Sequence, residues 1–273
     1  MNQHYLFYVS YYDELIKNSE KGADSLESLN KQIINATFRN GSMMEFSVDD
    51  QEDLKGWKTC CFPMKVCYPG LLAGLGYQHE AGDFSPDKEQ EIKLGFSLDY
   101  VSGLPYVPGS TVKGILRSAF RKYDIDIGHL LDVNTEIVHA LEIAIFEEGE
   151  DIFLDVFPVA GDKRSRLLGL EYITSHKADD HAYEGLTKLN PLRLLKILPE
   201  VKVLVRFLLK DTIIFVGDTC IELKAEVKKE LFAIILERYG LGAKTNTGYG
   251  HVVRCEEELH NKGYFWLFKE VDY

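Results

Sequence analysis

The stretch LGFSLDYVSGLPYVPGSTVKGILRSAFRKY, from Leu94 to Tyr123, combines a predicted strand, a turn and a helix. Apolar residues alternate with small or polar ones from Leu94 to Leu98, which is the period of a half-buried strand. Leu104 to Pro108 contains two prolines, which fix φ and disfavour helical geometry in the residues before them. Because a serine side chain can accept hydrogen bonds from the first turn of a helix, we expect Ser110 to cap the helix that follows.

The predicted helix carries a basic stripe beside its apolar face. The apolar residues recur at helical spacing, at Val112, Ile115, Leu116, Ala119 and Phe120. Lys113, Arg117 and Arg121 recur at every fourth position and therefore follow one flank. Free backbone N–H groups of the first turn, behind Gly109, would add a second attraction for anions. This combination favours a polyphosphate ligand.

The net charge of the whole chain makes a basic stripe unusual and therefore informative. Among 273 residues there are 43 acidic and 31 basic ones, for a formal net charge of −12. Leu104 to Tyr123 nevertheless contains four cations and no acid. A basic stripe is often only the solvated face of a helix, but a positive segment in an acidic chain favours a local polyanion site. The acidic balance argues against indiscriminate nucleic-acid binding while allowing a focused groove.

A second acid-free segment extends from Gly240 to Arg254 and begins with a glycine-rich loop. Four glycines surround the polar run from Lys244 to Thr247, and successive N–H groups in such a loop can form an anion-binding nest. A Walker A motif is excluded, because Ala243 precedes the lysine and the loop follows a helix and enters a strand. The plain alternative is a simple helix-to-strand connection.

Two further polar segments could carry chemistry. Lys163, Arg164 and Arg166 lie between predicted strands Ile152–Phe157 and Leu167–Thr174, which we interpret as a hairpin with a basic tip. The second segment could supply metal ligands or an acid–base pair, but it also fits an ordinary polar loop, and it contains His176, Asp179, Asp180 and His181.

The cysteines and the apolar segments limit the class of protein. The five cysteines are scattered and lack the C-x-x-C spacing of zinc or redox sites, so we expect reduced thiols and no metal. No secretory signal and no apolar run of about 18 residues or more is present, so we expect a cytoplasmic chain without membrane contact. Further helices and strands are predicted at Tyr5–Ile16, Ser25–Phe38, Ile137–Phe146, Val201–Leu209, Ile221–Tyr239 and His251–Cys255. Gly240 is the predicted C-cap of the helix that ends at Tyr239.

Three motifs resemble those of a known family. PYVPGSTVKGILR, from Pro105 to Arg117, resembles the PYIPGSSLKGxLR signature of the RAMP proteins, the RNA-binding subunits of CRISPR effector complexes. GLGYQHE from Gly74 and AKTNTGYG from Ala243 make the chain most similar to the subunit-six family of the type III-B (Cmr) complex. The similarity extends from about Tyr68 to Arg254.

The resemblance implies an α+β fold, with a ferredoxin-like (RRM-type) RAMP core, helical insertions and an N-terminal helical extension. We place the extension at residues 1–61, the core at 62–256 and a C-terminal tail at 257–273. The implied protein is a non-catalytic subunit that holds the 3′-side part of the CRISPR RNA and its duplex with target RNA. The implied partners are CRISPR RNA, target RNA and the other Cmr RAMP subunits, with no cofactor.

The resemblance also assigns residues. The expected RNA-binding residues are Gly109, Ser110, Lys113, Arg117, Arg121, Gly242, Lys244, Thr245, Asn246, Gly248, Tyr249 and Gly250. A secondary contact with RNA or another subunit is assigned to Lys163, Arg164, Arg166 and His176. Tyr249 is a candidate for base stacking, and Asp155, which resembles the family's FLDAYP strand, is interpreted as architectural.

Two alternatives from other classes stay open. Some RAMP proteins process CRISPR RNA with a histidine, and His79, His176 or His251 could serve an endoribonuclease of that kind. A purely structural cap of the subunit filament, which never contacts RNA, would fit the acidic net charge.

Overall fold

The computed structural model describes residues 2–11, 13, 24–38, 56–74, 92–173 and 192–255. Its helices are α1 (Gln3–Tyr5, continued by a π-helix at Leu6–Ser10), α2 (Asp24–Asn35), α3 (Gly109–Lys122), α4 (Asp124–Leu131), α5 (Thr135–Phe146) and α6 (Ala225–Tyr239). Its strands are β1 (Lys58–Val66), β2 (Lys93–Leu94), β3 (Ser97–Leu98), β4 (Pro105–Tyr106), β5 (Ile152–Phe153), β6 (Phe157–Ala160), β7 (Leu168–Ile173), β8 (Leu192–Ile197), β9 (Lys202–Leu209), β10 (Thr212–Val216), β11 (Thr219–Leu223) and β12 (Val252–Arg254). The predicted α+β class is confirmed.

The main sheet is antiparallel and has the spatial order β12, β1, β9, β5, with β6 also pairing β9. β5 and β6 occupy one position beside β9, with Ile152 opposite Leu208 and Phe157 opposite Leu204. β1 is central, since Met64 faces Val203 on one side and Arg254 on the other. Counting β5 and β6 as one, the chain order is strand, helices, two strands, helix, strand.

The helices pack on one face of this sheet because that face is apolar. Along β1 the buried residues alternate with half-buried ones, as expected for a strand with one covered face. An aromatic cluster joins sheet and helices, with the rings of Phe207 and Phe232 centred 5.4 Å apart and those of Phe153 and Phe146 5.7 Å apart. Each fully buried aromatic side chain stabilises the fold by roughly 2 kcal/mol.

A smaller sheet has the order β2, β8, β7, with β2 parallel to β8 and β7 antiparallel to it. The predicted hairpin around the basic tip is therefore wrong, because β6 pairs with β9 while β7 pairs with β8. The turn at 161–167 connects two sheets. The predicted strand Leu94–Leu98 is likewise divided between two pairings at Gly95, where a Cβ would lie 2.4 Å from the carbonyl oxygen of Leu195.

The predicted helix Ile221–Tyr239 is correct only from Ala225 onward. Its first residues form β11, which pairs with β10 around a turn at Gly217, where φ is +58°. Leu223 and Val227 are four apart and mimic a helical stripe, although Leu223 is a buried strand residue. The helix begins where the Ala225 N–H donates to Asp211 Oδ1 at 2.8 Å, and it ends at the predicted Gly240 cap.

The N-terminal helices share the core of the chain. Phe7 and Tyr11 are buried, and Tyr11 Oη accepts a hydrogen bond from the Ile92 N–H at 3.0 Å. After α2 the chain contacts the basic turn, where the Phe38 N–H donates to the Ser165 carbonyl oxygen at 2.6 Å. No helix within the described ranges is long and apolar enough to cross a membrane.

Candidate nucleic-acid interface

The N-terminus of α3 is closed by a carboxylate. The helix begins at Gly109 after Pro108, so Ser110 lies in its first turn and the predicted Ser110 cap is wrong. Asp155 Oδ1 accepts the Gly109 N–H at 2.7 Å, an arrangement that the positive end of the helix dipole favours. The architectural role of Asp155 is confirmed. Gly109 is required by close packing, since a Cβ there would lie 2.0 Å from the Phe153 carbonyl oxygen.

Two of the three stripe cations are paired within the chain. The Arg117 guanidinium contacts both Glu142 of α5 and Glu147, which directly follows the last residue of α5. Arg121 Nε lies 3.0 Å from Glu142 Oε1, and its Nη2 lies 3.5 Å from Glu147 Oε1. Glu142 is buried, which makes this network a clamp between α3 and α5. The predicted phosphate contacts of Arg117 and Arg121 would therefore have to compete with these two carboxylates.

Lys113 differs from these arginines. It is half-buried, and its Nζ lies 5.8 Å from the centroid of the Phe153 ring. Among the described residues, none forms an ion pair with it. Lys113 is thus the member of the stripe whose charge is not cancelled by α5.

The glycine-rich loop, Leu241 to Gly250, is pinned to the segment Gly70–Ala73. The Ala243 N–H donates to the Leu72 carbonyl oxygen at 2.6 Å, and the Gly250 N–H donates to that of Gly70 at 2.8 Å. The loop is closed at its base, where the Leu241 N–H donates to the Gly250 carbonyl oxygen at 2.8 Å. Two glycine-bearing segments that lie far apart in sequence therefore form one surface.

The glycines of this loop have different tasks. All have positive φ, with +95° at Gly242, +91° at Gly248 and +74° at Gly250. A Cβ at Gly242 would lie 2.1 Å from the Leu72 carbonyl oxygen, and one at Gly250 would lie 2.0 Å from that of Leu241. A Cβ at Gly248 would meet only Pro69 Cδ, at 3.8 Å. Gly242 and Gly250 thus serve packing, whereas Gly248 presents an open backbone.

The outer side of the loop is exposed and polar. Thr245–Thr247 form one turn of 3-10 helix after Lys244, which has a left-handed φ of +59°. Lys244, Asn246, Thr247 and Gly248 are exposed, and the Thr247 hydroxyl donates to the Lys244 carbonyl oxygen at 2.9 Å. This geometry offers a cation and uncovered backbone to an anion.

Tyr249 is held to the smaller sheet through its hydroxyl group. Burial and a hydrogen bond to Glu171 raise the pKa of Tyr249 to about 12. Glu171 also pairs with Lys196, with 2.6 Å between Oε2 and Nζ. The Tyr249 ring is only half-exposed and its hydroxyl is engaged.

The basic turn is partly neutralised. Asp162 accepts the backbone N–H groups of Arg164 and Arg166, each at 2.8 Å, and its Oδ2 lies 2.9 Å from Arg166 Nη2. Lys163 and Arg164 extend from this turn with exposed side chains. Two cations, rather than three, are therefore presented at this position.

Of the candidate enzymatic residues, the structure describes His251 alone. His79, His176, Asp179, Asp180 and His181 lie outside the described residues. His251 is exposed, and its carbonyl oxygen accepts the Cys67 N–H at 2.8 Å. Across the described ranges, no group of three or more metal-ligating side chains occurs. Burial raises the pKa of the Cys60 thiol to about 11, which is typical of an unreactive cysteine.

A family comparison now places the chain. Residues 64–253, more than half of the sequence, match the family model of the RAMP superfamily. The chain belongs to the RAMP superfamily. The match contains the end of β1, all of α3, the loop at Leu241–Gly250 and most of β12, and the resemblance to this superfamily is confirmed.

This RAMP chain is similar to two solved structures of low sequence identity. One is a chain of the type III-B Cmr-beta bound to cognate target RNA, with 22% identity, a TM-score of 0.49, and coverage of 74% of this chain and 60% of that chain. The other is Cmr6 from Pyrococcus furiosus, with 21% identity, a TM-score of 0.41, and coverage of 74% and 99%. No curated protein matches significantly.

The structure of the RAMP chain also reveals a residue that the motifs missed. Tyr68 is 84% exposed and lies beside the loop, close enough to Tyr249 to act on it electrostatically. Its position directly before Pro69-Gly70 was the available signal in the sequence. Aromatic side chains are rarely assigned to a site without a motif, and this one lies six residues before the glycine-rich GLGYQHE.

Proposed function

We propose that this chain is a non-catalytic RNA-binding subunit of a type III-B CRISPR (Cmr) effector complex, of the subunit-six family. It holds the 3′-side part of the CRISPR RNA and its duplex with target RNA. Superfamily membership and the three sequence motifs support this proposal. The observation that carries it is the loop Leu241–Gly250, an exposed, acid-free, glycine-rich surface fixed by hydrogen bonds to Gly70 and Leu72.

The RNA contacts centre on this loop. Its backbone from Gly242 to Gly250 lies along the RNA backbone, with Lys244 as the phosphate contact and Thr245 and Asn246 as polar contacts. Lys113 makes a further phosphate contact from α3. Arg117 and Arg121 brace α3 against α5. The Gly109 N–H binds no phosphate because Asp155 already takes it, whereas the exposed Ser110 adds a polar contact from the same turn.

The fold proposed for this task is a ferredoxin-like core at residues 62–256, flanked by a helical extension at 1–61 and a tail at 257–273. The strand order β12, β1, β9 and β5 with β6, joined through α3 and α6, supports that core. β1 begins at Lys58, slightly before the proposed boundary.

No catalytic group is required by this function. In RNA-guided complexes base pairing reads the sequence, so a protein subunit need only hold the shape and backbone of the RNA. We infer a cytoplasmic subunit that needs no cofactor and whose partners are CRISPR RNA, target RNA and other Cmr RAMP subunits. Lys163 and Arg164 supply a secondary contact with RNA or a neighbouring subunit.

The test compares two exposed lysines in the assembled complex. Lys244→Ala should reduce guide-RNA content, and in salt titrations the slope of log K against log salt should fall by about one unit. Lys224→Ala is the matched control, because Lys224 is also exposed and precedes α6 at its far end, about 22 Å along the helix axis.

Three results would contradict the proposal. Equal guide content in both variants would remove the loop from the interface. Guide cleavage that disappears on changing His251 to Ala would favour the endoribonuclease. A wild-type subunit that joins the complex but contacts no RNA would favour the structural cap.

A further inference from the structure

The backbone around Tyr68 is fixed on both sides. Before it, the Cys67 N–H donates to the His251 carbonyl oxygen at 2.8 Å. After it, the Gly70 carbonyl oxygen accepts the Gly250 N–H at 2.8 Å. Tyr68 therefore extends from a rigid segment at the end of β1, beside the glycine-rich loop. A functional side chain on such a support is held in a defined position.

The side chain itself is left in solvent. Tyr68 is 84% exposed, compared with 78% for Tyr100 in the turn before β4. Covering an aromatic ring of this size would be favourable, so the exposed face is available to a flat apolar ligand. A single exposed aromatic residue is common on protein surfaces, and its surroundings must decide what it binds.

Those surroundings favour a neutral ring over a phosphate. Glu171 bonds to the Tyr249 hydroxyl near Tyr68, and Glu200 donates its N–H to the Val66 carbonyl oxygen at 2.8 Å, two residues before Tyr68. Glu171 is paired with Lys196, whose Cδ would lie 3.1 Å from a Cβ at Gly70, so the charges beside Tyr68 offset each other and give a phosphate no net attraction there. The exposed Lys244 lies on the loop itself. A nucleobase has an uncharged π-face, and its phosphate can extend toward Lys244.

We propose that Tyr68 is a base-stacking residue for an unpaired nucleotide of the bound RNA. The proposal rests on the RNA-holding function proposed above and specifies how a base is held beside the glycine-rich loop. The base lies on the Tyr68 ring while the adjoining backbone follows Gly248, whose open side faces Pro69. Tyr68 thereby takes the stacking role that the motif assigned to Tyr249. Because every base has a π-face, the site selects single-stranded character rather than sequence.

Photo-crosslinking tests this directly. The complex is assembled with the full chain and a guide RNA that carries 4-thiouridine, irradiated, and analysed by mass spectrometry for the crosslinked peptide. We expect a crosslink at Tyr68 in the wild type. The yield of crosslinks on the peptide that contains position 68 should be at least about fivefold lower in Tyr68→Ala, since a stacked base contributes roughly 1–3 kcal/mol. Tyr68→Phe should retain the crosslink because it keeps the ring, and Tyr100→Ala is the matched control for an exposed tyrosine elsewhere.

The outcomes separate the two proposals. Normal guide content with no crosslink at Tyr68, or with a yield unchanged in Tyr68→Ala, overturns the stacking role and leaves the RNA-holding function intact. Loss of partner subunits from Tyr68→Ala with the crosslink retained elsewhere identifies a protein contact and also overturns it. A wild-type complex without guide RNA at this subunit overturns both.

Discussion

The basic flank of α3 and the glycine-rich loop are alike in charge but differ in whether their cations are paired in the folded chain. Both segments are free of acids and contain cations. In the folded chain Arg117 and Arg121 bind Glu142 and Glu147, whereas Lys244 is exposed on a loop whose backbone is uncovered. The difference lies in distant residues, because the acids that neutralise α3 come from a separate helix.

This contrast distinguishes cations that hold two helices together from a cation that is available to a ligand. For a phosphate to take Arg117, the buried Glu142 would lose part of its hydrogen bonding, which is costly for a carboxylate removed from water. The exposed Lys244 shows no such carboxylate partner among the described residues. We therefore infer that the basic flank of α3 is mainly structural, and we propose the shorter loop as the better RNA contact.

The largest expected effect distinguishes two glycines of the loop. Gly250→Ala should lower the free energy of unfolding by about 2–4 kcal/mol, because it adds a clash with the Leu241 carbonyl oxygen to the strain of a positive φ. Gly248→Ala should cost about 1–2 kcal/mol, since strain acts there without a clash. Urea unfolding followed by circular dichroism measures both.

The guide-RNA content of the assembled complex tests the backbone of the loop separately from its stability. Gly248→Val should reduce guide content in the assembled complex at least as much as Lys244→Ala while the subunit stays folded. If Lys244→Ala abolishes retention and Gly248→Val has no effect, the loop acts as a point charge and its backbone does not cradle RNA.

The second prediction concerns the clamp between α3 and α5. Glu142→Gln should lower the free energy of unfolding by about 1–3 kcal/mol, since a buried carboxylate shared by two guanidinium groups is lost. Glu147→Gln, at a half-exposed position, should change it by less than about 1 kcal/mol. Equal effects of the two variants in thermal or urea unfolding would show that Glu142 has no special role.

The third prediction compares two cations of the same helix. Lys113→Ala should reduce the salt slope of RNA binding by about one unit, because one phosphate contact is lost. Arg117→Ala should leave that slope nearly unchanged and reduce stability instead. A slope that falls for Arg117→Ala and not for Lys113→Ala would mean that phosphate displaces Glu147 in the complex.

The smallest effect is a pH dependence of the loop. Burial and the hydrogen bond to Glu171 raise the pKa of Tyr249 to about 12, above the ordinary value of 10.0. The unfolded chain therefore loses this proton first, and the stabilising contribution of Tyr249 is complete below pH 10 and is lost as pH rises toward 12. The stability difference between wild type and Tyr249→Phe should shrink over that interval, as measured by urea unfolding at fixed pH. A constant difference would place the hydroxyl outside the Glu171 contact.

Sequence reasoning succeeded where the physical signal is local. The period of β9, the apolar stripe of α3 and the Gly240 cap of α6 all depend on residues within one element. It failed where pairing decides the structure. The strands on either side of the turn at 161–167 belong to different sheets, and no residue in that turn states which partner each strand takes.

The site followed the same rule. The loop was identified by its glycines, whose positive φ is a local property. The ion pairing of Arg117 and Arg121 depends on α5, and the position of Tyr68 beside Gly248 depends on the pairing of β1 with β12. Motifs therefore indicated what could bind, and only the fold showed which groups stay available.

The pairing of β1 with β12 also has a consequence for synthesis on the ribosome. It joins Met64 to Arg254, and the hydrogen bond from Gly250 to Gly70 spans a similar separation. Contacts so distant in sequence form late, because the intervening chain must first be made and closed. A nascent chain that has already folded α3 and β9 still lacks the complete loop surface. On the proposed function, we expect guide RNA to load only onto chains translated through β12, and products truncated before β12 to leave the guide unbound.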